Sequence, residues 1–107
     1  NDIYIDLPLT FSQAALGTTI EVQTLAGAVN LKVPAGTQHG TKFKLSGKGI
    51  TSKVNNRTGN QYVIAKVITP TNLSSKQKDL FNELSKTDET KGNKVFEKIK
   101  NFFKTNK

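Results

Sequence analysis

The stretch from residue 34 to residue 50, PAGTQHGTKFKLSGKGI, contains the residue types of phosphate-binding loops: four glycines, three lysines and the chain's only histidine. A nucleotide-binding P-loop requires G-x-x-x-x-G-K-[ST] between a strand and a helix, so that backbone N–H groups surround the phosphates. Gly47 and Lys48 fit, but position 42 is Lys, position 49 is Gly, and no helical pattern follows. The glycines instead lie on either side of a predicted strand, where turns are expected, so we interpret the stretch as turns and a strand with a structural role.

The other reactive side chains are too sparse for a catalytic centre. The absence of cysteine excludes disulfides, thiolate zinc sites and cysteine nucleophiles. His39 stands beside Gly40 in a predicted turn, and we interpret it as a solvated loop residue rather than a catalytic base. The carboxylates of Asp2, Asp6 and Glu21 are scattered and lack the spacing of metal ligands. We therefore predict that the chain is not an enzyme, has no catalytic residues and binds no metal and no cofactor.

The formal charge of +8 raises the question of an anionic partner such as nucleic acid or a membrane. Arg57 is the only arginine, whereas base recognition and bidentate phosphate contacts favour arginine. A nucleic-acid-binding β-module also needs solvent-facing aromatic residues among lysines, and here the aromatics fall at alternating positions typical of a core. No apolar run approaches the ~20 residues that span a bilayer. We expect no nucleic-acid partner and no membrane partner.

The elements that would position these residues are mainly strands. Apolar residues alternate over residues 3–7, 19–23, 29–33, 42–46 and 62–68, the last with a run that indicates burial on both faces. The first strand is predicted to end at Pro8. Thr10 and Gln13 then fit a capping box for a short helix, with Gly17 as its left-handed C-terminal cap. A long surface loop is predicted from Gly47 to Asn60.

Two helical patterns follow the last strand. Ser74 and Gln77 form a second capping box, and both helices carry an apolar stripe, the second among lysines. The residues of the two stripes are Leu80, Phe81 and Leu84, then Val95, Phe96, Ile99, Phe102 and Phe103. The sequence predicts a mainly β chain, a small β-sandwich with one short helix after the first strand, followed by one or two C-terminal α-helices. We divide it into a β-domain at 1–72 and a helical segment at 73–107.

Five segments resemble the C-terminal region of DnaJ-type J-domain co-chaperones. Residues 2–17, DIYIDLPLTFSQAALG, are similar to the family's D-L-Y-V-x-[IL]-P-[LV]-[ST]-F-x-x-A-A-L-G. Residues 21–27, EVQTLAG, resemble E-V-P-T-L-D-G, with Gln in place of the usual proline. The runs at 32–41, 45–50 and 73–78 resemble K-[IV]-P-x-G-T-Q-x-G-T, L-x-G-K-G-[VI] and L-[ST]-x-x-Q-[KR]. The likeness implies the family's second C-terminal β-domain with its C-terminal helix.

Several features depart from the family pattern. TGNQYV at 58–63 stands where R-G-D-L-x-V is usual, and the basic segment from 93 to 107 has no counterpart. The chain has neither the His-Pro-Asp tripeptide of a J-domain nor the C-x-x-C-x-G-x-G repeats that bind zinc. It does not begin with methionine and opens directly on a strand pattern, so we expect a fragment of a longer protein. The DnaK-type chaperone partner would be engaged by a J-domain upstream.

The resemblance implies a cytoplasmic co-chaperone of protein folding and the stress response. An apolar groove beside an edge strand would bind unfolded client polypeptides by strand addition and shallow side-chain pockets, weakly in this domain. By position in the pattern, the groove residues would be Ile20, Val22, Phe43 and Tyr62. The alternative for all four is ordinary core, which we favour for Val22 and Phe43.

The family's C-terminal helix pairs two protomers into a homodimer, so that one client meets several weak grooves at once. The residues that would supply this contact are Leu80, Phe81, Leu84, Phe96, Ile99 and Phe103. The alternative is that the first three pack on their own sheet. The lysine-rich last helix leaves further alternatives open: folding back on the sandwich, occupying a neighbour's groove, binding nucleic acid or an anionic membrane, or forming a frayed tail.

Overall fold

The computed structural model describes residues 1–88 of a chain that divides into two compact units, Asn1–Pro70 and Thr71–Lys107. The first unit contains β1 (Ile3–Leu9), α1 (Phe11–Leu16), β2 (Thr18–Thr24), β3 (Gly27–Val33), β4 (Lys42–Leu45) and β5 (Gln61–Val67). In the second unit a helix, α2, begins at residue 75 and covers the described residues to 88. The predicted mainly β fold, with one short helix after the first strand and a helix after the last, is confirmed.

The five strands form two sheets. β5 is the central strand of a three-stranded sheet, with β1 parallel on one side and β4 antiparallel on the other. β2 and β3 form a separate antiparallel hairpin and, among the described strands, pair only with each other. Its two-residue turn is stabilised by Thr24, whose Oγ1 accepts from the Ala26 N–H at 3.1 Å and donates to the Gly27 carbonyl at 2.6 Å.

One apolar core joins the inner faces of the two sheets. Val63 and Ala65 of β5 are fully buried, because this strand lies between β1 and β4 and beneath the hairpin. The other buried members of the core are Leu9, Val22, Leu31 and Val33. Two sheets that bury alternate residues against each other form the small sandwich that the sequence predicts.

β1 continues through Pro8 to Leu9, so the prediction that it ends at the proline is wrong. The Ile3 N–H donates to the Asn60 carbonyl at 2.8 Å, and in a parallel pair alternate residues of a strand bond the same neighbour. Pro8 is out of phase with Ile3, so its missing N–H falls on the free edge of β1. A proline at that position removes no bond from the ladder.

β5 is fully buried on one face only, which corrects the expectation of burial on both. Gln61, Val63 and Ala65 face the core, whereas Tyr62, Ile64 and Lys66 are half-buried on the opposite face. Gln61 is only 2% exposed, and its Nε2 donates to the Gln23 carbonyl of the hairpin at 3.1 Å. This side chain therefore links the two sheets by a partly buried hydrogen bond.

Helix α1 begins with the predicted capping box. The Thr10 N–H donates to Gln13 Oε1 at 3.0 Å, and the Gln13 N–H donates to Thr10 Oγ1 at 3.1 Å. Gly17 ends the helix at φ 85° and ψ 159°, so its φ is positive but the left-handed helical cap expected here does not form. A Cβ at this position would lie 2.9 Å from the Ala35 backbone nitrogen, so both conformation and space require glycine.

The segment from Gly47 to Asn60, predicted as a long surface loop, is tied to the beginning of the chain. The Ile50 N–H donates to the Asn1 carbonyl at 2.7 Å, and the Asn60 N–H donates to Asp2 Oδ1 at 2.8 Å. Asp2 is therefore an architectural residue that holds the base of this loop against β1.

His39 is exposed but makes a specific contact. The Val67 N–H at the end of β5 donates to His39 Nδ1 at 3.0 Å, so the ring proton is on Nε2 in the neutral imidazole. Gly40 adds a second link, because its N–H donates to the Ala65 carbonyl at 2.7 Å. His39 is thus an exposed turn residue, as interpreted from the sequence, and its contact also fixes the loop before β4 to the central strand.

Candidate functional site

Three of the four residues predicted to line a client groove border the core. Val22 is buried in it, and Ile20 and Phe43 are half-buried against it. Phe43 stands directly opposite Val63 and therefore shares the inner face of the three-stranded sheet. Tyr62 belongs to the outer face of that sheet, since its neighbours Gln61 and Val63 both point inward. The structure brings the first three together around one core and separates Tyr62 from them.

The hairpin presents an open edge beside Ile20. Within residues 1–88, β2 pairs with β3 alone, so the backbone groups of alternate β2 residues face away from the hairpin. The Gln23 carbonyl is one of these, because it accepts from the side chain of Gln61 rather than from β3. Thr19 and Glu21 are in phase with Gln23 and have exposed side chains. Their backbone N–H and carbonyl groups are positioned to pair with an added strand.

Two shallow depressions lie at opposite ends of the hairpin. One, of about 200 Å³, is lined by the end of α1, the start of β2 and the segment after β3. Leu16 borders it and is 80% exposed. The other, of about 300 Å³, lies between the hairpin turn and the loop after β4, where Leu25 and Ile50 are exposed. Each depression therefore contains exposed apolar surface.

The outer face of the three-stranded sheet carries an aromatic pair that sequence reasoning did not place. Tyr4 of β1 stacks on Tyr62 of β5, with ring centroids 5.0 Å apart and ring planes at 19°. Lys42 Nζ lies 5.0 Å from the Tyr62 centroid and 5.9 Å from that of Tyr4. Tyr4 is 58% exposed, so the expectation that the aromatics occupy core positions is wrong here. The alternation of side chains along each strand could have indicated this, because each tyrosine is out of phase with the buried residues of its own strand.

The predicted dimerisation residues lie partly on α2. Its capping box is present: the Ser74 N–H donates to Gln77 Oε1 at 2.8 Å, and the Gln77 N–H donates to Ser74 Oγ at 3.1 Å. Leu80 and Leu84 are 53% and 51% exposed, and Phe81 is half-buried. The remaining predicted contacts, Phe96, Ile99 and Phe103, and the basic last helix lie outside the described residues.

Neither a metal site nor a membrane span is found in the described part of the chain. Within residues 1–88 no three His, Cys, Asp or Glu side chains are grouped closely enough to hold a metal ion. Over the same residues no helix has the length and apolar character to cross a bilayer. Every buried side-chain nitrogen or oxygen described has a hydrogen-bond partner, so no polar group of residues 1–88 is left to bind a ligand inside the core.

Comparison with known proteins gives a consistent result. Residues 1–70 match the family model of the DnaJ C terminal domain. The chain is 49% identical over 111 residues to the chaperone protein DnaJ of Bacillus velezensis, an alignment that covers 97% of this chain and 29% of that protein. It is 51% identical over 109 residues to the DnaJ of Parageobacillus thermoglucosidasius and 47% identical over 103 residues to that of Acholeplasma laidlawii. The chain thus spans 29% and 28% of the length of these curated relatives.

Proposed function

Because this chain belongs to the family of DnaJ C-terminal domains, we propose that it is part of a DnaJ-like co-chaperone and acts there as a weak binding module for unfolded polypeptide. The observation that carries the proposal is the open edge of β2, which runs beside the half-buried Ile20. A DnaK-type chaperone is the partner that the whole protein would serve, through a J-domain elsewhere in it. The cytoplasm is the compartment in which it would act.

Client binding would proceed by strand addition to β2. Thr19 and Glu21 together offer about four backbone hydrogen bonds, each stabilising by about 0.5–1.5 kcal/mol net. Fixing the backbone of about five client residues costs roughly 1–2 kcal/mol per residue, so backbone pairing alone does not hold a client. One or two buried apolar side chains, each contributing about 1.5–3 kcal/mol, would tip the balance. The module would therefore select extended segments that carry apolar residues, as unfolded proteins do.

The structure narrows the roles of the predicted groove residues. Ile20 is half-buried at the edge and would contact the client directly, with the 200 Å³ depression next to it at the start of β2. Val22 and Phe43 would form the floor, since both already pack in or against the core. Tyr62 is excluded from this groove by its place on the outer face of the other sheet.

Dimerisation would compensate for weak single grooves. Leu80 and Leu84 are four residues apart on α2 and lie on one side of it, and both are about half exposed at 53% and 51%. An exposed apolar stripe of this kind is the type of surface that two helices bury against each other in a homodimer. Two linked grooves then bind one client with an avidity that neither reaches alone.

A pair of proline substitutions would test the strand-addition proposal. Glu21 and Asn30 stand directly opposite each other in the hairpin, each with its N–H directed to its own outer edge. Glu21→Pro removes the donor that faces the client, whereas Asn30→Pro removes the equivalent donor from the other edge. Proline is tolerated at both positions because neither N–H serves the ladder between β2 and β3.

The measurement is binding of a reduced and alkylated, permanently unfolded polypeptide, followed by fluorescence anisotropy. We expect Glu21→Pro to weaken binding at least several-fold and Asn30→Pro to leave it unchanged, with thermal melts confirming that both variants fold. Ile20→Ala provides a second variant and should weaken binding without removing a backbone donor. Equal binding by all three variants and the unaltered chain would show that clients do not use this edge.

A further inference from the structure

The outer face of the three-stranded sheet is a second surface, on the side opposite the core and the hairpin. The register places Tyr4, Tyr62 and Lys44 side by side across the three strands, and Asp6, Ile64 and Lys42 in the next row. Lys66 stands opposite Pro8 beyond them. We refer to Tyr4, Tyr62, Lys42 and Lys44 as the tyrosine–lysine platform. None of the four belongs to the client groove proposed above.

The tyrosine–lysine platform exposes an aromatic ring to solvent beside two positive charges. Tyr4 is 58% exposed although it stacks on Tyr62, and both Lys42 and Lys44 are exposed. Lys42 Nζ stands 5.0 Å from the Tyr62 ring centroid, within range of a cation–π interaction. Planar π surface and positive charge thus occupy adjacent positions on one rigid sheet.

We propose that the tyrosine–lysine platform binds single-stranded nucleic acid. Bases would stack on the exposed surface of the tyrosine pair, and phosphates would contact Lys42 and Lys44, as in modules that bind single strands without reading their sequence. The scarcity of arginine argues against base-specific recognition, but it does not bear on this mode, because stacking and phosphate neutralisation require only aromatic rings and positive charge.

The aromatic pair decides between a nucleic acid and an acidic peptide as the ligand. Carboxylates of an acidic peptide would be attracted to the lysines, but the negative faces of the tyrosine rings give them no favourable contact. A nucleobase gains from both components, because it stacks on a ring while its phosphate meets a lysine. The formal charge of +8 favours a nucleic acid and an acidic peptide alike, so the tyrosine rings are what favour the nucleic acid.

One carboxylate opposes binding on this face. Asp6 is exposed next to the platform, in the row that contains Lys42. Its negative charge would repel a phosphate backbone that follows β1 and so limit the affinity for nucleic acid. Removing this charge by Asp6→Asn should strengthen nucleic-acid binding.

The test uses the whole chain and two fluorescent probes, an oligothymidylate of about 12 nucleotides, within the site sizes of such modules, and an abasic oligomer of the same length. Tyr4→Leu removes the exposed ring but keeps apolar bulk on β1. Lys42→Gln removes a platform charge, and Lys53→Gln removes the same charge from the loop after β4. Circular dichroism and thermal melts show which variants remain folded, and Tyr4→Phe should behave like the unaltered chain.

We expect Tyr4→Leu to weaken oligothymidylate binding by about 5-fold to 150-fold, the range found for loss of one stacked base, and to leave abasic binding unchanged. Lys42→Gln should weaken both probes more than Lys53→Gln, and Asp6→Asn should strengthen both. If Tyr4→Leu has no effect on oligothymidylate, or if both probes bind the unaltered chain equally, the proposal is overturned. Displacement of oligothymidylate by polyglutamate at equal charge concentration would assign the face to acidic peptides and also overturn it.

Discussion

Gln61→Glu tests the hydrogen bond that joins the two sheets. The two side chains differ only in that an amide nitrogen becomes a carboxyl oxygen, so the packing of this 2% exposed residue is preserved. The Gln61 Nε2 donates to the Gln23 carbonyl at 3.1 Å, and an ionised carboxylate at this place cannot donate. A protonated carboxyl group can, so the folded state of the variant will hold the proton.

The expected loss of stability in Gln61→Glu is set by the free energy of binding this proton at the assay pH. Burial beside a carbonyl raises the pKa of the new carboxyl group above the value of about 4.3 that it has in the unfolded chain. Binding a proton at about pH 7.5 then costs up to roughly 4 kcal/mol, at about 1.36 kcal/mol per pH unit. This loss is a large part of the roughly 5–15 kcal/mol that stabilises a typical domain.

The sign of the pH dependence is fixed by the raised pKa. The variant's carboxyl group stabilises the fold fully below about pH 4.3, and this contribution is lost as the pH rises through the folded-state pKa. We therefore expect the difference in unfolding free energy between the unaltered chain and Gln61→Glu to be small near pH 4.5 and to widen towards about pH 7.5. The assay is urea unfolding followed by circular dichroism across this range, with the unaltered chain in parallel.

Two further variants separate the causes. Gln38 is exposed and donates to the Gly36 carbonyl at 3.3 Å, so Gln38→Glu makes the same chemical change where water solvates the charge. Gln61→Leu removes the donor without adding a charge and should cost about 1–3 kcal/mol at every pH. If Gln61→Glu is as stable as Gln38→Glu near pH 7.5, or if its loss of stability does not change with pH, the Gln61 side chain does not hold the two sheets by this hydrogen bond.

Three other outcomes follow from single contacts. Gly17→Ala should destabilise the fold by about 1–3 kcal/mol, more than Gly36→Ala in urea unfolding, because both glycines have positive φ but only the first has backbone atoms within 4 Å of a new Cβ; equal losses would contradict this. His39→Ala should cost about 1 kcal/mol by removing the acceptor of the Val67 N–H, while His39→Asn, which offers Oδ1 in place of Nδ1, should cost less; the reverse order in thermal melts would argue against the contact. Leu80→Ser combined with Leu84→Ser should convert a dimer to a monomer in sedimentation equilibrium. If the chain without substitutions is already monomeric, the proposed dimer contact through these leucines is refuted.

Local patterns predicted the elements well because their causes are local. Thr10 and Gln13 satisfy each other's backbone groups over three residues, and so do Ser74 and Gln77, so both capping boxes are visible in the sequence alone. The alternation of apolar residues likewise gave the strands, since it depends on the two-residue period of the pleat. Only the strand ends shifted, as at Pro8, where the outcome depends on which edge faces a neighbour.

Contacts between distant segments were not predictable in the same way. Parity shows that Tyr4 and Tyr62 point away from the core residues of their own strands, but only the pairing of β1 with β5 makes them neighbours. His39 receives its hydrogen bond from a residue 28 positions later, and Asp2 from one 58 positions later. The residues of the proposed groove were ambiguous for another reason: Ile20, which we propose contacts the client, and Val22, which is buried in the core, share the same face of the same strand.

Gln61 also determines where the proposed groove ends. Its side chain donates a hydrogen bond to the Gln23 carbonyl, which is the outward-facing acceptor of β2 nearest the hairpin turn. A client strand can therefore pair with Thr19 and Glu21 but meets an acceptor already in use at Gln23. The client would be confined to the beginning of β2, next to the 200 Å³ depression beside α1 and away from the one at the turn. On the proposed mode of binding, the bond that stabilises the sandwich shortens the binding edge, and a second copy of the module would then be needed to hold a client.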